Sequence, residues 1–534
     1  MAGKRKTRAK VAPTACTNKA SDATPKATQG KPKKRDTKAE DKNNEESKDQ
    51  IKEISAAMSN GVMVDHKVPD PGSFEVVSVG GKVLNTHLML ADCIRNNNKF
   101  YIIQGLKKGS SFMLWTRWGR VGVDGQTGKT MVSNENALLA QFNKKMKAKT
   151  NKGYNEIEIS YEEVEETTKK IEALEEKKKG EDTEPQKKKE SVLPSSVQDL
   201  LRFIFDMKMI EKSVVKVGFN VKKLPLGKLS KATITKGYEV LRKIDQEMKN
   251  LGSQATLGTL SSEFYSIIPH DFGFAKLSQF VINTKEKLKD KLELVEALGD
   301  IQIAAEIMND ANKDNSDKNE LDAKYDMMKC KIVPLDKDHQ DYDNLVKTIT
   351  STHGSTHYFN VKPLEIFKIE REGEEERFNQ ALSNKKLLWH GSRFSNWGGI
   401  LSQGLRIAPP EAPATGYMFG KGVYFADIVT KSAGYCCSHI SNSEGLLALC
   451  EVALGDTRDL KNADYNANRL PAGKGSTKGV GRWVPENEVD IDGVPAYVGP
   501  IKDLGSNYYL RYNEFITYDV SNVKIKYLFR CKIG

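Results

Sequence analysis

The spacing of hydrophobic residues changes character several times along the chain. Residues 1 to about 65 are rich in Lys, Ala, Thr, Asn and Pro and carry no apolar period, which predicts a disordered basic tail. From 66 to 161 the pattern is strand-like. Phe100-Tyr101-Ile102-Ile103-Gln104 and Phe112-Met113-Leu114-Trp115-Thr116-Arg117-Trp118 are short β-prone runs with a glycine-containing turn between them, and a helical stretch follows over residues 137–147. These features describe a small α+β domain. Residues 162–190 alternate Glu and Lys blocks with almost no apolar content and read as a charged linker.

Residues 191–325 take a helical period. Ser196 sits three before Asp199 as in a capping box, and Val197, Leu200, Leu201, Ile204 and Phe205 recur on one helical face. Leu288, Leu292, Val295 and Ile301 repeat the pattern, so a single all-α bundle fits the whole stretch. From 326 to 534 the period falls to two. Val523, Ile525, Tyr527, Phe529, Cys531 and Ile533 alternate with Lys524, Lys526, Arg530 and Lys532, a half-buried strand with only Leu528 out of pattern. Residues 446–454 form a more continuously apolar strand. The fold class is therefore α+β and multidomain: a small α+β domain, an all-α bundle and a β-rich C-terminal domain. A chain of 534 residues is too long for one hydrophobic core, which agrees with that division.

Charge adds a partner class. Residues 1–38 hold twelve Lys/Arg against Asp22 and Asp36, so about +10 of the net +12 lies in the tail, as suits a polyanion such as nucleic acid. Lys4-Arg5-Lys6-Thr7-Arg8 and Lys31-Pro32-Lys33-Lys34-Arg35 are candidate nuclear-import clusters. No apolar run reaches the roughly 18–20 residues that cross a bilayer, and the N-terminus leads into no secretory h-region, so no membrane partner is expected. The seven cysteines include no C-x-x-C pair, which argues against zinc fingers and for reduced thiols with no metal.

The usual nucleotide motifs fail. Gly125-Gln-Thr-Gly128-Lys129-Thr130 ends like a P-loop, but position 123 is valine rather than glycine; Gly473-Lys-Gly475 precedes no helical pattern. Three C-terminal stretches carry the candidate chemistry instead. Leu387-Leu388-Trp389-His390-Gly391-Ser392-Arg393 is an apolar strand ending in a polar corner. Gly420-Lys421-Gly422-Val423-Tyr424-Phe425-Ala426-Asp427 enters a second strand through glycines and leads to Lys431-Ser432-Ala433-Gly434-Tyr435. Tyr512-Asn513-Glu514-Phe515-Ile516 puts a carboxylate at the start of a third strand. Taken singly, a His beside Gly is more often a turn residue, Tyr424 half-buried packing and Glu514 surface.

Together, through residues 389–393, 404–427, 431–436, 476–481 and 512–519, these stretches resemble the catalytic domain of poly(ADP-ribose) polymerases, with its His–Tyr–Glu set on three strands. The resemblance implies NAD+ as substrate. Breaking the nicotinamide–ribose bond develops oxocarbenium character, so the site must hold nicotinamide rigidly and stabilise positive charge. By resemblance, Gly391 and Ser432 bond the carboxamide, Tyr435 stacks on the ring and Tyr424 flanks it. His390 and Ser392 serve the adenine-side ribose, Arg406 joins the donor site, Lys431 lies near the reacting centre, and Glu514 holds the ribose 2′-hydroxyl and polarises the acceptor. Residues 408–413 resemble the loop that closes over the donor. Gly434 stands where the family pattern expects asparagine, and Gly398-Gly399 is expected to soften the helix after Trp397.

Arg117-Trp118-Gly119-Arg120 resembles the motif for which the family's WGR domain is named, and implies Trp118, Arg120 and Arg117 as DNA contacts. After Lys149-Thr150-Asn151 the usual Trp-containing stretch is shortened. Leu226-Gly227-Lys228-Leu229-Ser230, Ile268-Pro269-His270-Asp271-Phe272-Gly273 and Leu298-Gly299-Asp300-Ile301 resemble the regulatory helical domain, which obstructs NAD+ until DNA loosens it. The implied protein is a nuclear, DNA-break-activated polymerase of the short type without zinc fingers. It would modify itself, histones and repair factors, with room for an accessory factor that completes the acceptor site. The alternatives are a mono-ADP-ribosyltransferase not controlled by DNA and a weakly catalytic DNA-end scaffold.

Overall fold

The computed structural model describes residues 58–59, 62–157, 159–160, 190–206, 209–210, 228–313, 318–413 and 417–534. The expected tail up to residue 57, nearly all of the expected linker, and Leu226-Gly227 lie outside the described residues.

In the N-terminal domain, β1 (Asn85–Asp92), β2 (Asn97–Lys108), β3 (Ser111–Arg120), β4 (Gln126–Val132) and β5 (Asn155–Ile157) form an antiparallel sheet in the order β5-β1-β2-β3-β4. Helix α1 (Glu135–Thr150) starts where the Asn134 side chain accepts from the Ala137 N–H, and packs Leu138 and Phe142 on the sheet. The domain begins earlier than the sequence suggests. Val62 and Val64 are buried with Leu106, Met113 and Trp115, and Asp65 pairs with Arg117, so residues 62–65 belong to the fold rather than to the tail.

The helical region comprises α2 (Ser195–Ile204), α3 (Lys231–Lys249), α4 (Gln254–Ile267), α5 (Lys285–Lys313) and α6 (Glu320–Met328) among the described residues. Val197, Leu200, Leu201, Ile204 and Phe205 are all buried, but the helix opens on Pro194 with no side-chain cap, so Ser196 lies inside it rather than capping it. The helices do not share one core. Leu257, Phe264, Leu288, Leu292 and Val295 pack with Met89, Phe100, Ile102 and Val121 of the N-terminal sheet. Val197, Leu201, Ile303 and Ile307 pack instead with Trp397, Leu401 and Phe515 of the C-terminal domain. Helix α5, about 44 Å long at 1.5 Å per residue, contributes to both and joins them like a beam.

The C-terminal domain pairs two sheets. Its strands are β6 (Cys330–Pro334), β7 (Val361–Arg371), β8 (Lys385–Ser392), β9 (Val423–Phe425), β10 (Glu444–Ala453), β11 (Asp456–Leu460), β12 (Lys474–Gly479), β13 (Gly481–Ile491), β14 (Val494–Asp503), β15 (Leu510–Tyr512), β16 (Glu514–Thr517) and β17 (Val523–Ile533). One sheet runs β6-β7-β17-β10-β8-β14-β13-β15 and the other β9-β16-β12-β11. Paired bonds between Trp389 and Ala426 (2.8 and 3.0 Å) stitch β8 to β9 across the two. Strand β17 alternates as expected, with one addition: its register against β10 slips between Leu449 and Cys450, leaving Lys526 as an extra residue. The bulge switches faces. Val523, Ile525 and Leu528 enter one core, while Tyr527, Phe529, Cys531 and Ile533 enter the other, so Leu528 is buried rather than misplaced.

Candidate active site and nucleic-acid interface

The corner after β8 and the helix after β9 meet at backbone contact distance. A Cβ on Gly391 would lie 2.0 Å from the Ser432 carbonyl oxygen, so only glycine fits there. Ser432 lies on α7 (Val429–Ala433) and donates its hydroxyl to the Trp389 carbonyl (2.9 Å), which leaves its lone pairs as acceptors. His390 Nδ1 lies 3.0 Å from the Tyr424 carbonyl, and burial lowers its pKa. A carbonyl only accepts, so Nδ1 carries the proton and Nε2 of the neutral ring is an acceptor.

Tyr424 donates to the Gly420 carbonyl (2.7 Å) and accepts from the Phe419 N–H (3.0 Å), which fixes its ring through its own entry loop. Directly beside it in the sheet, β16 pairs with β9 and carries Glu514 at its start. Glu514 bonds Lys431 of α7 in an ion pair. Burial alone would lower the Lys431 pKa, but Glu514, Tyr435 and Asp427 together carry it above its ordinary value. His390, Tyr424 and Glu514 thus stand on β8, β9 and β16, with Lys431, Ser432 and a half-exposed Tyr435 supplied by the one short helix and its end. Ser392 accepts from Asn396 Nδ2 (3.0 Å) at the corner of β8.

Arg406 is placed differently. Its guanidinium is paired with Asp300 of α5. Nearby, Arg393 Nη2 bonds Glu293 of the same helix at 2.7 Å. Burial raises the Asp300 pKa, and it outweighs the opposing pull of Arg406. Gly398 and Gly399 are the second and third residues of the helix Trp397–Gln403. Cβ atoms there would lie 3.3 Å from Ala304 Cβ and from Asp300 Oδ1, so the two glycines let α5 approach closely. The loop at 408–413 is clamped by Lys421, whose Nζ donates to the carbonyls of Pro409, Pro410 and Ala412 at 2.9, 3.1 and 3.0 Å. Ala412 itself is buried in the core shared by the helices and the N-terminal sheet.

Sequence reasoning missed a second tier beneath the site. Asn513, adjacent to Glu514, donates from Nδ2 to Asp427 Oδ2 (2.6 Å) and accepts from the Gly481 N–H (2.8 Å), both side chains being buried. Thr430, adjacent to Lys431, is held by the Gly354 N–H and by His357 Nδ1, both at 2.8 Å. The only signal available was adjacency to candidate residues.

On the N-terminal sheet, Trp118 stacks on Tyr101 (5.6 Å between centroids, 15° between planes) and Tyr154 meets Tyr101 edge-on. Lys149 Nζ lies 3.7 Å above the Tyr101 ring, with its pKa lowered by burial and by Lys152, Lys145 and Lys99. Tyr154 supplies an aromatic group where the Trp-containing stretch was expected. The P-loop look-alike is a structural support: a Cβ on Gly128 would sit 3.2 Å from the Trp118 ring. Arg120 donates to the carbonyls of Gly273 and Ala275, 2.5 and 3.4 Å away in the helical region. Arg117 corrects the expectation of a DNA contact. It is 2% exposed, with Nε bonding both Asp65 oxygens and Nη1 bonding the Asp124 carbonyl (2.8 Å), and so belongs to the core.

The C-terminal domain thus gathers a close glycine contact, a neutral histidine and a paired lysine and glutamate, and the N-terminal sheet carries a separate basic aromatic face, an arrangement suited to a group-transfer enzyme joined to a nucleic-acid-binding domain. Comparison with known proteins agrees with that class. Residues 339–533 match the poly(ADP-ribose) polymerase catalytic domain, 191–325 its regulatory domain and 84–161 the WGR domain. The chain is 43% identical over 502 residues to poly [ADP-ribose] polymerase 2 of Zea mays, covering 89% of this chain and 75% of that one. Against poly [ADP-ribose] polymerase 2 of Homo sapiens the identity is 39% over 484 residues, covering 87% and 82%. Poly [ADP-ribose] polymerase 1 of Gallus gallus is 37% identical over 507 residues, covering 90% of this chain and 48% of that one. The chain belongs to the poly(ADP-ribose) polymerase family. It is an ADP-ribosyltransferase with NAD+ as substrate that makes poly(ADP-ribose), binds DNA through its WGR domain and modifies protein. Among the described residues no helix is long and apolar enough to cross a membrane.

Proposed function

We propose that DNA ends switch this polymerase on in the nucleus, where it builds polymer on itself and on chromatin and repair proteins. In this reading residues 66–161 recognise DNA, 191–325 control access and 326–534 catalyse. The observation that carries it is the acidic side of α5: Glu293 holds Arg393, the residue after Ser392, and Asp300 holds Arg406. The stretch of that helix from Leu288 to Leu298, which carries Glu293, is packed into the core of the DNA-binding sheet, and Ile303 and Ile307 further on pack with the C-terminal domain. A helix pinned at both ends couples whatever binds the sheet to whether the arginines are free to meet the donor pyrophosphate.

The residues take these roles. Gly391 and Ser432 hold the carboxamide, Tyr435 and Tyr424 flank the nicotinamide ring, and His390 Nε2 accepts from a ribose hydroxyl, with Ser392 beside it. Glu514 holds the ribose 2′-hydroxyl, and Lys431 fixes that carboxylate. As the nicotinamide–ribose bond breaks, the acceptor oxygen polarised by Glu514 attacks the anomeric carbon. Trp118 and Arg120 meet the DNA.

The test is NAD+ consumption by the full chain with and without a short blunt duplex, beside Trp118→Ala. Stimulation by the duplex that Trp118→Ala removes supports the reading; equal turnover with and without DNA sinks the control mechanism and leaves the catalytic roles standing.

A further inference from the structure

The helix that presents Lys431 and Ser432 is too short to hold itself. α7 (Val429–Ala433) spans five residues, and a lone turn is unfavourable because it fixes several dihedrals for one hydrogen bond. Its placement is therefore set by what it is bonded to. One anchor is the Ser432 hydroxyl on the Trp389 carbonyl. The others come from residues 352–357, which lead out of the helix Tyr342–Ser351. The Val429 N–H donates to the Thr352 carbonyl (3.1 Å), and the Thr352 hydroxyl donates to the Thr348 carbonyl (2.6 Å). The Gly354 N–H donates to Thr430 Oγ1 (2.8 Å), and His357 Nδ1 lies 2.8 Å from the same oxygen. Thr348, Thr352 and Thr430 are fully buried.

The same loop is bonded to the strand that leads to Glu514. The Tyr512 hydroxyl oxygen accepts from the Thr356 N–H (3.0 Å) and lies 2.8 Å from Thr356 Oγ1, while its ring stacks on His357 (4.9 Å between centroids, 27° between planes). Position 354 has to be glycine for this. A Cβ there would lie 2.5 Å from the Tyr512 hydroxyl oxygen and 2.8 Å from His357 Nδ1. Residues 354–357 thus grip one point a residue before Lys431 and another two residues before Glu514. A lysine on its flexible four-carbon stem does not set that spacing by itself. The brace on either side does.

Thr430 is the joint of this brace. Its hydroxyl accepts from the Gly354 N–H and has one proton to give, and His357 Nδ1 is within reach of it. Burial, with His353, Lys431 and Arg511 adding to it, lowers the His357 pKa to about 4, so the ring is neutral at working pH and can take that proton. Serine at this position keeps both bonds. Valine has the shape of threonine, keeps neither bond, and leaves the buried Gly354 N–H without a partner.

We infer that Thr430 is a positioning residue for the transfer reaction, its hydroxyl locking α7 to the 354–357 loop so that Lys431 meets Glu514 at a fixed place. Being fully buried, it acts through Lys431 rather than on the substrate. The inference rests on the reading that Lys431 fixes the Glu514 carboxylate.

The experiment compares kcat and KM for NAD+ in the full chain, with a blunt duplex present, for wild type, Thr430→Val, Thr430→Ser, Lys431→Met and the double variant of Thr430→Val with Lys431→Met. Thr430→Val should lower kcat about ten-fold, less than the roughly 100-fold that a misplacement near 1 Å produces, with KM within about two-fold of wild type. Thr430→Ser should restore the rate. Lys431→Met should also be slow, and the double variant no slower than Lys431→Met, because a lysine that is gone is not misplaced. Thermal unfolding of each variant keeps loss of fold apart from loss of rate; where Thr430→Val unfolds at the assay temperature, Thr430→Ala takes its place under the same criteria. If Thr430→Val turns over like wild type while Lys431→Met is slow, the inference is wrong and the role of Lys431 survives. Losses that multiply in the double variant, or a Thr430→Ser as slow as Thr430→Val, overturn it as well, since either marks an effect that does not pass through the hydroxyl to Lys431. A wild-type kcat for Lys431→Met removes the role given to Lys431, and the inference with it.

Discussion

Exchanging the partners of the Asp427–Asn513 bond tests whether the tier beneath the catalytic residues positions them. Asn513 Nδ2 donates to Asp427 Oδ2 at 2.6 Å, and Asn513 Oδ1 accepts from the Gly481 N–H; the two residues are 3% and 1% exposed. Asp427 Oδ1 is buried with no hydrogen-bond partner, and burial raises the pKa to about 6. Asn513→Asp sets two buried carboxylates face to face, which leaves an uncompensated charge and costs about 3–5 kcal/mol. Asp427→Asn alone keeps an acceptor oxygen for Asn513 and removes a buried charge, so stability stays near or above wild type. The double exchange restores both bonds with donor and acceptor reversed, because a carboxylate at 513 accepts from Gly481 and from the new amide. The pair should therefore couple by about 3 kcal/mol in a double-mutant cycle. Glu514 follows Asn513 directly, so Asn513→Asp should also lower kcat by up to about 100-fold for a displacement near 1 Å, with KM for NAD+ less affected. The assay is thermal unfolding together with kcat and KM for the four proteins at neutral pH. Asn513→Asp should regain activity on acidification, since a shared proton relieves the repulsion. A double variant no better than Asn513→Asp would refute the positioning role.

Other expectations follow from single contacts. Combining Glu293→Gln with Asp300→Asn removes two partly exposed ion pairs worth about 1 kcal/mol each, so DNA-free NAD+ turnover should rise about 30-fold; no rise would exclude these pairs as a latch. Arg117→Met leaves Asp65 buried without its cation and should cost about 3–5 kcal/mol in thermal unfolding while DNA affinity of the folded protein holds; a selective loss of DNA binding would contradict the core assignment. Because the folded pKa of Asp427 lies above its ordinary 3.8, the native state binds that proton more tightly than the unfolded chain does. Its contribution is therefore full at low pH and lost as pH rises from about 4 to 6, and Asp427→Asn should flatten stability over that window.

Much of the architecture could be read from periodicity because sheet and helix faces bury residues at fixed intervals. The alternation from Val523 to Ile533 was visible, and so was the apolar face of α2. What it could not reveal was that Lys526 is a bulge separating two cores, since alternation looks the same on either side. Nor does a hydrophobic period say which neighbour an apolar face meets. The helices therefore read as one bundle, although α5 serves two cores. At the site, His390, Tyr424, Lys431 and Glu514 were legible as a set of motifs in order. The pairing of Arg406 with Asp300 and the burial of Arg117 depend on contacts between segments 106 and 52 residues apart, which local sequence does not encode.

The most direct test of the account is product length by gel electrophoresis after incubation with labelled NAD+, with and without a blunt duplex, for wild type and Glu514→Gln. Long polymer from wild type only with DNA, and NAD+ consumption without chain growth from Glu514→Gln, is the result this structure calls for. Polymer of full length from Glu514→Gln, or from wild type regardless of DNA, would contradict it.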